Sequence, residues 1–248
     1  MKILPNIPGL VKMITCLKYF RPFKKPIEEA KARSDFEEER RQIRLAENLW
    51  GPMVLKTFGS TLTVHGKENI PDEGPVVIIA NHQSYSDIPT LFAALPKIPF
   101  GFVAKVGLRK LPLYGIWIER IRSVFLERED PKSALKTIRE AISYVEKGFS
   151  MVIFPEGTRS KGPEWGKFMK GSLKLATKPG VPIIPVSING TYKMFEEKGV
   201  FTPADIHVMV HKPIPTAGIS HREEIALNKE VERIIKEGIV NLQEERGE

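Results

Sequence analysis

Seven consecutive residues, Asn81-His82-Gln83-Ser84-Tyr85-Ser86-Asp87, set an imidazole five positions ahead of a carboxylate. A carboxylate that accepts from one ring nitrogen fixes the histidine tautomer and leaves the other nitrogen free as a base. The ordinary histidine pKa, about 6.5, suits proton abstraction near neutrality. On one regular helix, residues five apart differ by about 140° around the axis and do not face each other. A strand-to-helix turn folds them together, and the flanking runs predict one: Val76–Ala80 reads as a strand and Ile88–Leu95 as a helix. Alone the spacing is unspecific, because Ser86 or Asp87 also suits a helix cap beside an incidental turn histidine.

A second segment, Phe154-Pro155-Glu156-Gly157-Thr158-Arg159-Ser160, ends another apolar run. Glycine lets backbone N–H groups approach a ligand closely. Threonine adds a hydroxyl, and arginine a planar fork that grips phosphate at two points. Together they read as an anion site. The bland alternative is a polar turn with Glu156 and Arg159 paired in solvent.

The elements that must position these segments alternate. Strands are predicted over Thr61–Val64, Val76–Ala80, Phe100–Lys105, Ser123–Glu127, Ser150–Phe154, Pro182–Ile188 and Ile206–Val210. Several are short apolar or β-branched runs of the kind buried on both faces. Helices are predicted over Ile88–Leu95, Pro131–Lys147, Phe168–Thr177 and Arg222–Glu245. In the second, Asp130 is a good N-cap, Pro131 suits the first helical position, and Leu135, Ile138, Ile142 and Val145 share a face. The alternation argues for an α/β fold: a central, mostly parallel sheet of about seven strands flanked by helices. No strong helix signal connects Ile188 to Ile206, which leaves room for a mixed sheet edge. Chemistry in such sheets sits beyond the carboxyl ends of the strands, where both segments fall.

The 248 residues are 42% apolar and 27% charged, which excludes wholesale disorder, collagen and a polytopic membrane bundle. One cysteine, Cys16, excludes an internal disulfide framework and a multi-cysteine zinc site. The formal net charge of +8 favours anionic partners. Residues 1–25 hold six basic side chains (Lys2, Lys12, Lys18, Arg21, Lys24 and Lys25) and no acidic one. The apolar stretch between them is too short and too charged for a membrane span, which needs about 20 apolar residues. As a helix it sets Leu10, Met13, Ile14, Leu17 and Phe20 on one face and Lys12, Thr15 and Lys18 on the other, ending at Pro22. That pattern suits an interfacial helix on an anionic membrane, and equally an amphipathic helix packed on its own domain. A highly charged helix is expected from Pro26 to about Leu49. The domain expectation is therefore a helical membrane-docking hairpin over residues 1–50 and a catalytic α/β domain over residues 51–248.

The two segments are far more specific together. Asn-His-x-Ser-x-x-Asp followed about seventy residues later by Phe-Pro-Glu-Gly-Thr-Arg-Ser resembles the glycerolipid acyltransferases, above all those that acylate 1-acyl-sn-glycerol 3-phosphate. Gly115 to Arg128 resembles the family's second block, and Val181-Pro182-Ile183-Ile184-Pro185-Val186 its fourth. The likeness covers roughly residues 60–215. It implies that His82 takes the proton from a lysophospholipid hydroxyl, that Asp87 orients His82, and that the hydroxyl attacks a thioester of coenzyme A or acyl-carrier protein. It implies acceptor or carrier binding by Lys105, Arg128, Glu156, Gly157, Thr158 and Arg159, with lysophosphatidic acid as acceptor. Many relatives carry a transmembrane helix at the N-terminus. Its absence here implies peripheral attachment at the cytoplasmic face of the cell membrane. The alternatives are another acceptor, such as glycerol 3-phosphate or a lyso-glycolipid, or a non-catalytic lipid-binding protein.

No cofactor is expected. No dinucleotide or Walker fingerprint appears, and no nucleic-acid module accompanies the basic charge. No metal is expected either: His207 and His211 lie four apart in a strand-like run, about 13 Å apart on one exposed face.

Overall fold

The valine- and isoleucine-rich runs become strands because both their faces are covered. The computed structural model describes residues 6–247 except 112, 128, 129 and 170. Its seven strands are β1 (Thr61–His65), β2 (Val77–Ala80), β3 (Phe100–Lys105), β4 (Val124–Leu126), β5 (Ser150–Ile153), β6 (Ile183–Asn189) and β7 (Asp205–Val210). They form one sheet in the order β1-β7-β6-β2-β5-β3-β4. The five strands from β6 to β4 run parallel, whereas β7 is antiparallel to β6 and carries β1 parallel to itself. The mixed edge thus falls where the sequence lacks a crossover helix, since a parallel return needs one and an antiparallel return does not.

The helices are α1 (Ile7–Lys18), α2 (Arg21–Ala32), α3 (Phe36–Thr57), α4 (Asp87–Ala94), α5 (Tyr114–Arg120), α6 (Pro131–Glu146), α7 (Lys174–Thr177) and α8 (His221–Glu244). Two apolar layers result, one on each side of the sheet. Ile78 and Ala80 of β2 join Trp50, Val54 and Leu91 from α3 and α4. Val77 and Ile79 join Ala141, Val145, Ile235 and Ile239 from α6 and α8. This is the period-2 alternation of a strand expressed as two half-cores. Each such aliphatic side chain, fully buried, contributes about 1.5–3 kcal/mol relative to exposure.

Several boundaries differ from expectation. The helix expected from Pro26 to Leu49 is two. Pro26 lies inside α2, and the chain breaks at Ser34, whose φ is +56°. Asp35 then caps α3, accepting from Glu38 N at 3.1 Å. Pro22 does not simply end α1; it sits in the first turn of α2, where proline is tolerated. α3 runs through Gly51-Pro52 to Thr57 because packing overrides the local breaker. A Cβ on Gly51 would stand 2.7 Å from Phe92 Cβ and 2.8 Å from the Pro89 carbonyl, so its absence lets α3 and α4 touch. The helix expected over Phe168–Thr177 shrinks to α7, because Gly171 takes φ +87°. α5 was not expected at all. On α6, Leu135 is 53% exposed, and Thr137 and Ala141 take the buried face with Val145.

The N-terminal helices are joined to the body through aromatic and ionic contacts. Phe20 stacks between Trp50 and Trp117, at 5.1 and 4.4 Å between centroids. Arg122, ahead of β4, forms a buried two-point pair with Glu39 of α3 at 2.6 and 2.7 Å. The predicted apolar face of α1 divides: Leu17 and Phe20 are buried and Met13 is half-buried, but Leu10 and Ile14 face solvent. Among the described residues, no helix is long and apolar enough to cross a membrane.

Candidate active site

β2 delivers Asn81 at its carboxyl end. The Asn81 amide donates to the Ile188 carbonyl at 2.9 Å and accepts from Ile188 N at 2.7 Å, extending the β2–β6 seam by one side chain. The chain then leaves the sheet, and α4 starts at Asp87. His82 Nδ1 lies 2.6 Å from Asp87 Oδ2, as a strand-to-helix turn requires. The same oxygen accepts from Gln83 N at 2.8 Å and Ser84 N at 3.0 Å. Asp87 Oδ1 accepts from Thr191 Oγ1. Asp87 is fully buried and surrounded by donors, so it is held as an acceptor for the His82 Nδ1–H. His82 Nε2 is then the nitrogen with a lone pair to offer. The His82 side chain keeps 19% exposure, and Phe154 stacks on the ring at 4.1 Å between centroids.

β5 delivers the second segment beside the first. Ser160 N donates to the His82 carbonyl at 2.8 Å, and Lys161 N to the Gln83 carbonyl at 3.1 Å. Gly157 turns the chain with φ +70° and donates its N–H to the Phe154 carbonyl at 3.0 Å. Gly157, Thr158 and Arg159 face a cavity of about 520 Å³ together with His82 and Lys105. Its remaining wall is largely apolar, including Phe20, Trp50, Ile88, Phe92, Phe102 and Leu111. Tyr114 also lines it, and burial pushes its hydroxyl up to about 12, so it presents a neutral phenol.

Glu156 and Arg159 do not pair with each other. Glu156 does not line the cavity; it is buried, accepting from His82 N at 2.7 Å through one oxygen and from Gly166 N at 2.6 Å through the other. Burial pushes its carboxyl above the usual range, against the pull of those two N–H groups. It braces the histidine turn against the loop at Gly166, where any Cβ would come within 2.7 Å of its Oε2. Arg159 instead meets Glu196 at 2.6 Å and lies over the Tyr85 ring at 3.5 Å from its centroid. Glu196 also accepts from Ser84 Oγ at 2.6 Å and Tyr85 N at 3.2 Å, so one carboxylate ties both segments. Arg128 lies outside the described residues.

Sequence reasoning missed Thr191, Gln83 and Glu196. Gln83 Oε1 accepts from Gly190 N at 3.0 Å, anchoring the turn after β6 that carries Thr191. The signal for Thr191 was Asn189-Gly190-Thr191 directly after a predicted strand; Glu196 had none, since Glu196-Glu197-Lys198 reads as solvated surface. His211 is also corrected. It is not on an exposed face: its Nε2 meets Ser187 Oγ at 2.8 Å beneath α8.

The constellation is a buried carboxylate, an oriented imidazole and cationic groups at one end of an apolar cavity. It can deprotonate a hydroxyl and hold an anion beside it. The acyltransferase family profile matches residues 61–189. The chain is 36% identical over 169 residues to a chloroplastic 1-acyl-sn-glycerol-3-phosphate acyltransferase of Brassica napus, covering 67% of this chain and 48% of that one. It is 33% identical over 183 residues to a 1-acyl-sn-glycerol-3-phosphate acyltransferase of Borreliella burgdorferi, covering 73% and 71% respectively. The chain thus spans about half the length of the plant relatives it matches. The crystal structure of the 1-acyl-sn-glycerophosphate (LPA) acyltransferase PlsC from Thermotoga maritima superposes with TM-score 0.75 at 31% identity, covering 96% of this chain and 97% of that one. With the family profile spanning residues 61–189 and relatives above 30% identity, the chain belongs to the acyltransferase family.

Proposed function

We propose that this protein transfers a fatty acyl group from a thioester carrier, acyl-CoA or acyl-carrier protein, to the sn-2 hydroxyl of 1-acyl-sn-glycerol 3-phosphate, giving phosphatidic acid. The observation that carries the reading is His82, held by Asp87 at 2.6 Å, in the same cavity as Gly157, Thr158, Arg159 and Lys105. His82 Nε2 takes the acceptor's hydroxyl proton as the oxygen bonds to the thioester carbonyl carbon. The carbon–sulfur bond breaks, and the departing thiolate takes the proton back from the imidazolium. Asp87 orients the ring and stabilises its cationic form. No serine nucleophile is needed, because the acceptor supplies the oxygen. Arg159 and Lys105 supply positive charge for the acceptor phosphate or the carrier, and the apolar wall suits an acyl chain. Names of the relatives support lysophosphatidic acid as acceptor. Attachment is peripheral, through α1 on an anionic membrane surface.

An acceptor panel with one acyl-CoA donor, following thiol release and lipid product, tests this. Lysophosphatidic acid should give the highest kcat/KM. Faster product formation from glycerol 3-phosphate or a lyso-glycolipid would reassign the acceptor. No acceptor-dependent thiol release would reduce the protein to a lipid binder.

A further inference from the structure

Three ligand-type side chains outside the cavity converge at the β1–β7 edge of the sheet. His65 ends β1, His207 lies in β7, and Glu245 directly follows α8. In the parallel β1–β7 pairing Thr63 stands opposite His207 and His65 opposite Met209. The two imidazoles therefore project diagonally from the same face. Their rings stack at 5.8 Å between centroids, and one donor atom from each of His65, His207 and Glu245 lies within 4.8 Å of the others. His65 Nε2 is 3.5 Å from Glu245 Oε2.

Two observations separate this from a chance meeting of side chains. His65 Nε2 and His207 Nδ1 are both shut off from solvent with no hydrogen-bond partner, a costly state for a polar atom. The other nitrogen of His207, Nε2, lies 3.2 Å from Asp205 Oδ2. Asp205 is itself held by Thr61 Oγ1 at 2.6 Å and by Arg246 Nη1 at 3.1 Å. A proton on Nε2, donated to Asp205, leaves the Nδ1 lone pair bare. That is how a carboxylate prepares a histidine to ligate a metal.

We propose that His65, His207 and Glu245 bind a divalent cation of the zinc class, tying the end of α8 to the sheet edge. Two imidazoles and a carboxylate suit such an ion, with water as the fourth ligand. Donors bound to one ion at about 2.1 Å lie about 3.4 Å apart, so from separations of at most 4.8 Å a shift of about 0.8 Å by each brings them together. Glu245, exposed at a helix end, has the freedom to do so. The role is structural, because none of the three residues lines the cavity of His82. The spacing of His207 and His211 argued against a metal; the partner of His207 comes instead from β1, which only the sheet pairing brings alongside.

The test uses untagged full-length protein, stripped with a chelator and titrated with zinc chloride by calorimetry and by thermal unfolding. One equivalent should bind with Kd of about 10 µM or tighter, and Tm should rise by several degrees at saturation. Cobalt(II) in its place should give the visible absorption bands of a tetrahedral ion. His207→Gln and Glu245→Gln should each weaken zinc binding at least tenfold and abolish the Tm gain. Glu245→Gln changes an exposed side chain, so it reports even if His207→Gln fails to fold. Absence of both binding heat and Tm shift, or wild-type zinc affinity in Glu245→Gln, overturns the site.

Discussion

In the proposed function Arg159 meets an anion, and the fold already holds its side chain in place. Its guanidinium lies over the Tyr85 ring and against Glu196, which is almost fully buried. A phosphate arriving in the cavity would find this cation fixed in place, its ordering cost already met by the fold. Lysine at this position keeps the charge opposite Glu196 but loses the planar fork and the ring contact. Arg159→Lys should therefore fold normally and raise the KM for lysophosphatidic acid at least tenfold, with acyl-CoA concentration fixed. A rise confined to the acyl-CoA KM would move Arg159 to the carrier. His82→Ala should nearly abolish turnover, and Asp87→Asn should cost about 10⁴ in rate if tautomer control is worth what it is in other triads. Near-normal turnover in a folded His82→Ala protein would remove the general base. His82, Asp87, Gly157 and Arg159 were legible in the sequence because each pair of roles lies within one short segment beside a recognisable strand. Thr191 and Glu196 were not, since they reach Asp87 and Arg159 only through the pairing of β6 with β2. Glu156 was legible as part of the segment, but its placement beneath the histidine turn was not.

At the scale of elements, α8 carries an example of packing prevailing over propensity. Gly238 sits inside this 24-residue helix, where alanine would be favoured by about 1 kcal/mol. A Cβ there would come within 2.3 Å of Ser187 Oγ and 2.6 Å of His211 Nε2. Neither neighbour yields easily: Ser187 Oγ donates to the Ile235 carbonyl at 2.8 Å and accepts from His211 at 2.8 Å. Gly238→Ala should thus destabilise the fold by roughly 1–3 kcal/mol despite its better propensity, measured by denaturant unfolding. Burial under α8 pushes His211 down to about 4 from 6.5. The unfolded chain then binds a proton that the folded chain refuses between those values. Stability from this group is complete above about pH 6.5 and lost as pH falls towards 4. His211→Gln, which keeps an N–H donor for Ser187, should flatten the acid limb of a Tm–pH profile over that interval. An unchanged limb would show that other groups dominate it. The elements most legible in the sequence were those whose local signals agree with their packing, such as α6 with its Asp130 cap. A tertiary contact overruled the local signal where α3 continues through Pro52, with Gly51 against Phe92 and Pro89, and on α6 the buried face falls on Thr137, Ala141 and Val145 with Leu135 turned outward.

For the molecule as a whole, the proposed function requires a lipid acceptor to reach a cavity whose apolar wall includes Phe20. Phe20 lies in the turn between α1 and α2, so the segment proposed to meet the membrane also supplies a side chain to the cavity wall. Phe20, Leu17 and Cys16 are buried against the body, and truncating residues 1–25 would open the core between Trp50 and Trp117. Truncation would therefore confound docking with stability. The structure offers a cleaner test. Ile7, Leu10, Val11 and Ile14 are 40–56% exposed on α1, and Leu111, which lines the cavity, is 47% exposed. An exposed apolar stripe of this kind, close to Lys12 and Lys18, suits insertion beneath anionic headgroups. Burying three such side chains contributes about 3 kcal/mol if each inserts in part, about a hundredfold in partition. Each nearby lysine adds about 1 kcal/mol, weakening with salt. Replacing Leu10, Val11 and Ile14 together by serine should change Tm little, because all three lie on the exposed side of α1, outside the buried core. Binding to phosphatidylglycerol vesicles should fall 10- to 100-fold, and activity on vesicle-embedded acceptor should fall with it. Activity on detergent-dispersed acceptor should stay within about twofold. Replacing Lys12, Lys18, Lys24 and Lys25 by glutamine should weaken binding and reduce its salt dependence. If the triple serine variant binds vesicles as tightly as the original chain, α1 serves only to close the core, and the membrane is met elsewhere, with Leu111, Leu113 and Ile116 the next exposed apolar group to substitute.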